Sequence, residues 1–590
     1  MNKKLILLGS FIAMVFSANA QKAAGGYFSG TARALVESRT VLDTLGVKDG
    51  ATTGGYTLFD LGINAVRNDV IKASAVLRVK NEFGGFFGDG VFFEFRQMRL
   101  EGLIGEVIKY QIGDLDLLQT EYTLYNNDIG FNKYESELFS MKRDIINYEN
   151  FYTKDNTWRT QGVNLYTTFL FKKAIDKMKV RVHGNRVAGT NLAGTPDRFM
   201  YGGDIRFIRK NHEIGFHANN VQDLAKTLIK SAIDYDNQVY TGNFKLILPL
   251  AQDRFKIGFD GEAGISQMSM QRGDSTKTLE GGFADIGLVA TYKPYGLKAR
   301  VAYRMVDAHF TSPAAQTRRV YDYNNATRLF GYDQDNEISP FGINRVVASY
   351  DRLSQETGLY NSKTLSTSLM AYNPIYGNAL PYGKATPNRA GLDINISLED
   401  STKIYDITLN TALLNEINPE NADAIGKDLR NFFVVQAGAK INIHTLLGEQ
   451  NTMAVSAGLS RETTTRSGNT AVDFATSSVD FGLDLEPYKR LHFLLGYKTI
   501  VAKGNEYIIG NTQHKTDEYN DYTLSATNTD IDTKDNIFTV GSKFIFSDNT
   551  FFAVQGNFSQ YDGNEHLINN PTNNWKYNMN QVYFLYSQKF

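Results

Sequence analysis

The chain has 590 residues with 62 basic and 63 acidic side chains, a balance that argues against an electrostatic nucleic-acid binder. It contains no cysteine, which excludes disulfides, thiolate metal sites, thiol nucleophiles and a lipoprotein anchor. After residue 20 no apolar run approaches the about 18 residues that a helical membrane span needs, while 33 Tyr, 38 Phe and 51 Gly stand against only 11 Pro.

In chain order the first element is a secretory signal peptide over residues 1–20. Lys3 and Lys4 supply the positive start, Leu5 to Phe16 the apolar core, and Ala18-Asn19-Ala20 the small-residue site, so cleavage is expected after Ala20. From there to the end, apolar and polar residues alternate with period two. Residues 71–80 oppose Ile71, Ala73, Ala75, Leu77 and Val79 to Lys72, Ser74, Arg78 and Lys80. Residues 178–185 oppose Met178, Val180 and Val182 to Lys179, Arg181, His183 and Asn185. The same pattern recurs at 297–304 (Leu297, Ala299, Val301, Tyr303 against Lys298, Arg300, Arg304) and at 478–485 (Val479, Phe481, Leu483, Leu485 against Asp480 and Asp484). Successive strand side chains point to opposite faces, so each segment has one oily side and one wet side. These segments run about 10–13 residues, longer than the about 5–6 of soluble strands and close to the about 9–11 of a tilted membrane strand.

Short and long connections alternate between the segments. Short links fall near 67–70, 102–103, 173–177, 209–211, 250–253, 293–296, 400–402, 444–451, 486–489 and 547–549. Longer ones fall near 38–54, 81–90, 115–157, 188–198, 220–237, 267–280, 307–390, 414–430, 462–473, 502–535 and 561–578. Short turns opposite long loops are the pattern of transmembrane β-barrels. The segments from residue 57 onward number 21, and an even count asks for one more before them. Residues 26–36 can supply it. The expectation is an all-β, antiparallel up-and-down transmembrane barrel of 22 strands, range 18–22, occupying residues 21–590 as one domain.

The last residues, Gln581-Val582-Tyr583-Phe584-Leu585-Tyr586-Ser587-Gln588-Lys589-Phe590, place Val582, Phe584, Tyr586 and Phe590 on one face. This resembles the terminal-strand assembly signal of bacterial outer-membrane barrels, with Gln588 departing from the usual apolar residue. The Tyr-rich strands look like those of Bacteroidota-type outer-membrane proteins. The resemblance implies a Gram-negative cell outer membrane, with its lipid and the barrel assembly machinery as partners. TonB-dependent transporters, which also have wide barrels, fill the lumen with an N-terminal plug. Only about 35 residues precede the first well-marked strand here, too few for a plug domain.

A wide barrel without a plug holds water or inward-folded loops. The 84-residue connection 307–390 is the leading candidate for a lid or constriction, carrying five prolines together with Arg318, Arg319, Tyr321, Tyr323, Tyr372, Tyr376, Tyr382, Lys384 and Arg389. The connection 115–157 ranks second. By alternation, Lys72, Arg78, Lys80, Lys179, Arg181, Lys298, Arg300, Arg304, Glu94, Asp260, Glu262, Asp480 and Asp484 face the lumen, with mixed signs that can pair. The eight histidines are scattered and no HExxH, G-x-S-x-G or P-loop pattern occurs, so neither an enzyme nor a cofactor or metal site is expected. Arg272-Gly273-Asp274 falls in an outer loop and is a chance-level adhesion motif. Two functions fit: a porin-like channel for passive diffusion of small hydrophilic solutes, or a structural or secretion-associated barrel serving another envelope complex. Envelope-protein partners or a homo-oligomer fit both.

Overall fold

The computed structural model describes residues 24–43, 51–67, 70–83, 91–125, 133–150, 160–188, 197–224, 234–272, 275–315, 379–380, 383–418, 428–511, 524–567 and 570–590. The signal segment, most of 307–390 and the Gly273-Asp274 pair of the adhesion motif therefore lie outside the described residues.

Among the described residues the chain forms one 22-stranded sheet. The first eleven strands are β1 Ala24–Asp43, β2 Thr52–Arg67, β3 Ile71–Glu82, β4 Val91–Ile104, β5 Ile108–Leu115, β6 Thr160–Leu170, β7 Lys177–Ala188, β8 Arg198–Arg209, β9 His212–Asp223, β10 Asp234–Leu250 and β11 Phe255–Arg272. The rest are β12 Ser275–Tyr292, β13 Leu297–Val306, β14 Arg389–Glu399, β15 Tyr405–Asn415, β16 Asn431–Asn442, β17 Met453–Arg466, β18 Val472–Tyr488, β19 Leu491–Asn511, β20 Leu524–Ser547, β21 Thr550–Leu567 and β22 Asn570–Lys589. Each strand pairs antiparallel with the next, and β1 pairs with β22, for instance Leu35 opposite Leu585 and Thr31 opposite Lys589. Gly30 and Phe590 exchange backbone hydrogen bonds of 2.8 and 3.1 Å at that seam. Closure leaves no unpaired strand edge, which lipid cannot tolerate.

Two helices complete the elements used below: α1 Glu137–Asn150, in the connection after β5, and α2 Ile443–Leu447, in the link after β16. The turn after β12 shows local chemistry at work. Pro294 sits in a single 3₁₀ turn, Lys293–Tyr295, and Gly296 caps it at φ 60°, where a Cβ would stand 1.7 Å from the Glu399 carbonyl oxygen, so only glycine fits.

The strand count and the added first strand match the sequence expectation, but several long connections do not. The stretches near 267–280, 502–535 and 561–578 are largely paired strand, since β11 runs to Arg272, β20 starts at Leu524 and β22 at Asn570. In water both faces of a strand can be polar, so alternation fades although hydrogen-bonded pairing continues.

Candidate functional site

The interior is organised by the connection between β5 and β6, of which residues 116–125 and 133–150 are described. Its contacts follow the strands in ring order. The Arg99 guanidinium of β4 lies 2.8 Å from Asp116, and Arg181 of β7 donates to the Leu118 carbonyl at 2.5 Å. Gln119 donates to the Gly203 carbonyl of β8 at 2.9 Å, Thr120 to Glu262 of β11 at 2.6 Å, and Tyr122 to Asp285 of β12 at 2.9 Å. Tyr134 then donates to Asp406 of β15 at 2.9 Å, Lys498 of β19 reaches Glu135 at 2.9 Å, and Lys543 of β20 pairs with Glu137. Leu138, Met141 and Ile145 pack with Leu494, Ala553, Tyr583, Leu585, Leu35, Tyr56 and Leu58, from β19 round to β2. Tyr148 ends the circuit, donating to Asp60 of β2 at 2.6 Å.

A segment that touches strands all round a closed ring can do so only from inside. Because its contacts run in strand order, it lies along the wall as a belt rather than crossing the lumen. With strands about 4.8 Å apart and tilted about 40°, a 22-strand wall is about 45 Å across, so a single wall-lying layer narrows it without filling it.

The belt's phenols stay neutral donors. Burial pushes the Tyr122 hydroxyl well above its ordinary range, and burial followed by the Asp60 charge raises that of Tyr148; burial raises Tyr134 as well. Around the Tyr148 ring stand three guanidinium groups, those of Arg96, Arg33 and Arg78, at 4.0, 5.5 and 5.7 Å from its centroid. Arg96 also donates to the Tyr148 carbonyl. A phenol ring attracts cations while its hydroxyl serves the carboxylate that those cations surround, so the C-terminal turn of α1 is held from both sides.

The residues expected to face the lumen are extensively paired. Arg78 makes two 2.8 Å bonds to Asp60 and stands 3.6 Å from Glu94. Lys80 lies 4.3 Å over the Tyr56 ring and Lys72 5.9 Å over that of Tyr27. Arg181 bonds Asp204 at 2.5 Å, with Lys179 two residues along the same face. Arg300 bridges Asp260 at 2.7 Å and Asp285 at 2.8 Å, Arg304 bonds Asp393 at 2.8 Å, and Lys298 is 3.7 Å from Glu399. Asp480 stands 3.3 Å from Lys498, and Asp484 accepts a 2.8 Å bond from the His492 Nδ1. On the opposite face Ala75, Leu77, Val180 and Leu483 alternate with these, and Val301 and Phe481 are exposed outward. The partners Asp60, Asp204, Asp285, Asp393 and Lys498 were not singled out from the sequence, although each sits at a wet-face position of its own strand.

The belt comes from 116–150, the connection ranked second by sequence. The leading candidate, 307–390, contributes its two described ends: Ser312 donates to the Tyr122 carbonyl at 2.7 Å, and Lys384 pairs with Glu121. Residues 316–378 and 381–382 lie outside the described residues. An available signal for the belt was the helical spacing of Leu138, Met141 and Ile145, three and four residues apart. Beside the belt, towards the short-turn end, lies a cavity of about 650 Å³. Its wall includes Lys210, Lys245, Lys256, Lys298 and Arg300 against the carboxylates of Glu213 and Asp260.

Fold and interior together define a wide, closed antiparallel barrel with an internal constriction belt. Among solved structures it is similar to Pseudomonas aeruginosa OpdQ (9% identity, 96% of this chain and 98% of that one, TM-score 0.33). It is also similar to a BenF-like porin from Pseudomonas fluorescens Pf-5 (9% identity, 96% and 99%, TM-score 0.34). A third is Pseudomonas aeruginosa OccK2 (OpdF) in complex with glucuronate (9% identity, 96% and 98%, TM-score 0.34). No family model matches the sequence, and no curated protein matches it.

Proposed function

We propose that this barrel is an outer-membrane, porin-like channel for passive diffusion of small hydrophilic solutes. The observation that carries the reading is the belt: an ordered segment that lines a polar, ion-paired wall in ring order and narrows the bore without crossing it. A barrel whose only task was to scaffold a partner has no need of a lined bore. The cavity beside the belt is lined by charges of both signs, and Lys256, Lys298 and Arg300 also pair with Asp253, Glu399 and Asp285 beyond its wall, so its polar lining suits small hydrophilic solutes. In this reading the chain is exported by the segment ending at Ala20. It is inserted through the apolar row Val582, Phe584, Tyr586 and Phe590, and the Tyr-rich strands mark a Bacteroidota-type barrel.

Reconstitution into planar bilayers tests the reading directly. The expected result is stepwise, ohmic single-channel conductance. Negligible conductance, both in the whole protein and in one lacking residues 316–378, overturns it.

A further inference from the structure

Five glycines on five consecutive strands face the belt: Gly438 of β16, Gly458 of β17, Gly482 of β18, Gly496 of β19 and Gly541 of β20. Gly438 is directly opposite Gly458 and Gly482 opposite Gly496, while Gly458 faces Asp480, two residues from Gly482, and Gly541 faces Leu494, two residues from Gly496, so the row steps diagonally across the five strands. Glycine weakens a strand and is retained where a bulge, a bend or a close approach needs it. None of these five has a left-handed backbone, and no register shift occurs at them. Close approach remains. A Cβ on Gly438 would stand 2.2 Å from the Tyr134 ring, and one on Gly482 2.9 Å from the Ser136 Cα. On Gly496 it would meet the Ser136 Cβ at 2.7 Å, and on Gly541 the Leu138 side chain at 2.9 Å; at Gly482, Gly496 and Gly541 the wall's own Ser456, Thr539 and Val554 crowd the same space at 2.6 Å each. At Gly458 the distance to Tyr134 is an ordinary 3.5 Å.

We propose that this glycine row is a seat that fixes how deep residues 134–138 sink into the wall, and thereby sets the bore. Gly438, Gly482, Gly496 and Gly541 are positioning residues for the constriction, with Gly458 the looser member of the row. They remove the side-chain layer from one sector, so the belt rests on strand backbone and takes less of the lumen than it would elsewhere. The consequence for permeation rests on the channel reading, whereas the seat itself does not.

The test uses the cysteine-free background. A spin-label pair introduced as Ser140→Cys and Asn549→Cys reports the separation between α1 and the β20–β21 turn in the folded barrel. Gly438→Ala, Gly482→Leu and Gly496→Leu are expected to shift that distance by ångströms, with Gly458→Ala shifting it least. Conductance should fall severalfold in the first three. Tyr134→Ala should rescue both readouts, or folding where it is lost, in Gly438→Ala. A shifted distance with no conductance in any variant keeps the seat and removes the channel reading. An unshifted distance in folded Gly482→Leu and Gly496→Leu, or no rescue by Tyr134→Ala, overturns the seat.

Discussion

Replacing Lys498 with methionine tests whether the belt is held by its charges. The ammonium stands 2.9 Å from Glu135 and 3.3 Å from Asp480, and the side chains of Lys498 and Glu135 are only 3% and 1% exposed. Removing it leaves two buried carboxylates without the cation between them. Orphaning a buried ion pair in this way costs about 3–5 kcal/mol. The wall cannot yield to relieve that cost, because in lipid every ladder hydrogen bond must remain made. The belt can. Release of Glu135 to water is therefore the route of relief, and about 3 kcal/mol shifts the seated-to-released ratio about a hundredfold. Limited proteolysis of the folded barrel reads this out: cleavage within 126–150 should accelerate strongly in Lys498→Met, with heat-modifiable mobility unchanged. Adding Glu135→Met and Asp480→Asn should restore much of the protection. Unaltered cleavage in the single variant would refute the reasoning.

Tyr148→Phe removes a hydrogen bond to a charged acceptor, worth about 1.5–3 kcal/mol, and should loosen the C-terminal turn of α1. Open-channel current noise should rise with little change in mean conductance. Lys245→Glu with Lys256→Glu reverses two charges in the cavity wall and should move the zero-current potential towards cation selectivity; an unmoved potential places the permeation path elsewhere. Deleting Phe590 breaks its bonds to Gly30 and its stacking on Phe59, whose ring centroid is 5.5 Å away, and should lower the yield of folded, heat-modifiable barrel. Equal yields would show that the terminal aromatic row does not guide assembly.

Alternation made the wall legible, because one buried face and one wet face is the only arrangement a lipid-crossing strand permits. It led to the expectation of Arg78, Arg300 and Asp480 on the wet side, and from segment length and parity it gave the strand number. It could not give their partners. Asp60 and Arg78 are 18 residues apart and Lys498 and Glu135 are 363 apart, so the pairings depend on register and on where a loop returns. The belt was harder to read for a related reason. Its anchors (Gln119, Thr120, Tyr122, Tyr134, Glu135) are unremarkable polar residues until the wall stands opposite them, and the glycines of β16–β20 read as ordinary strand weakeners. Length and proline content drew attention to 307–390 instead, although they measure how much chain is available and not where it lies.

The apolar side of α1 straddles the junction of the first and last strands: Leu35 belongs to β1, and Tyr583 and Leu585 to β22. That has a consequence for the order in which the molecule is made. Leu138, Met141 and Ile145 are synthesised some 350 residues or more before their partners on β19, β21 and β22, and contacts of such long sequence separation carry the largest closure entropy. Until those strands arrive, the amphipathic segment has no complete surface to cover and must stay solvated or chaperoned. Once they arrive, joining β1 to β22 and docking α1 become one cooperative event. The helix then acts as an internal staple across the most expensive joint in the chain, and an intermediate lacking β22 should expose this helix to a protease that the finished barrel resists.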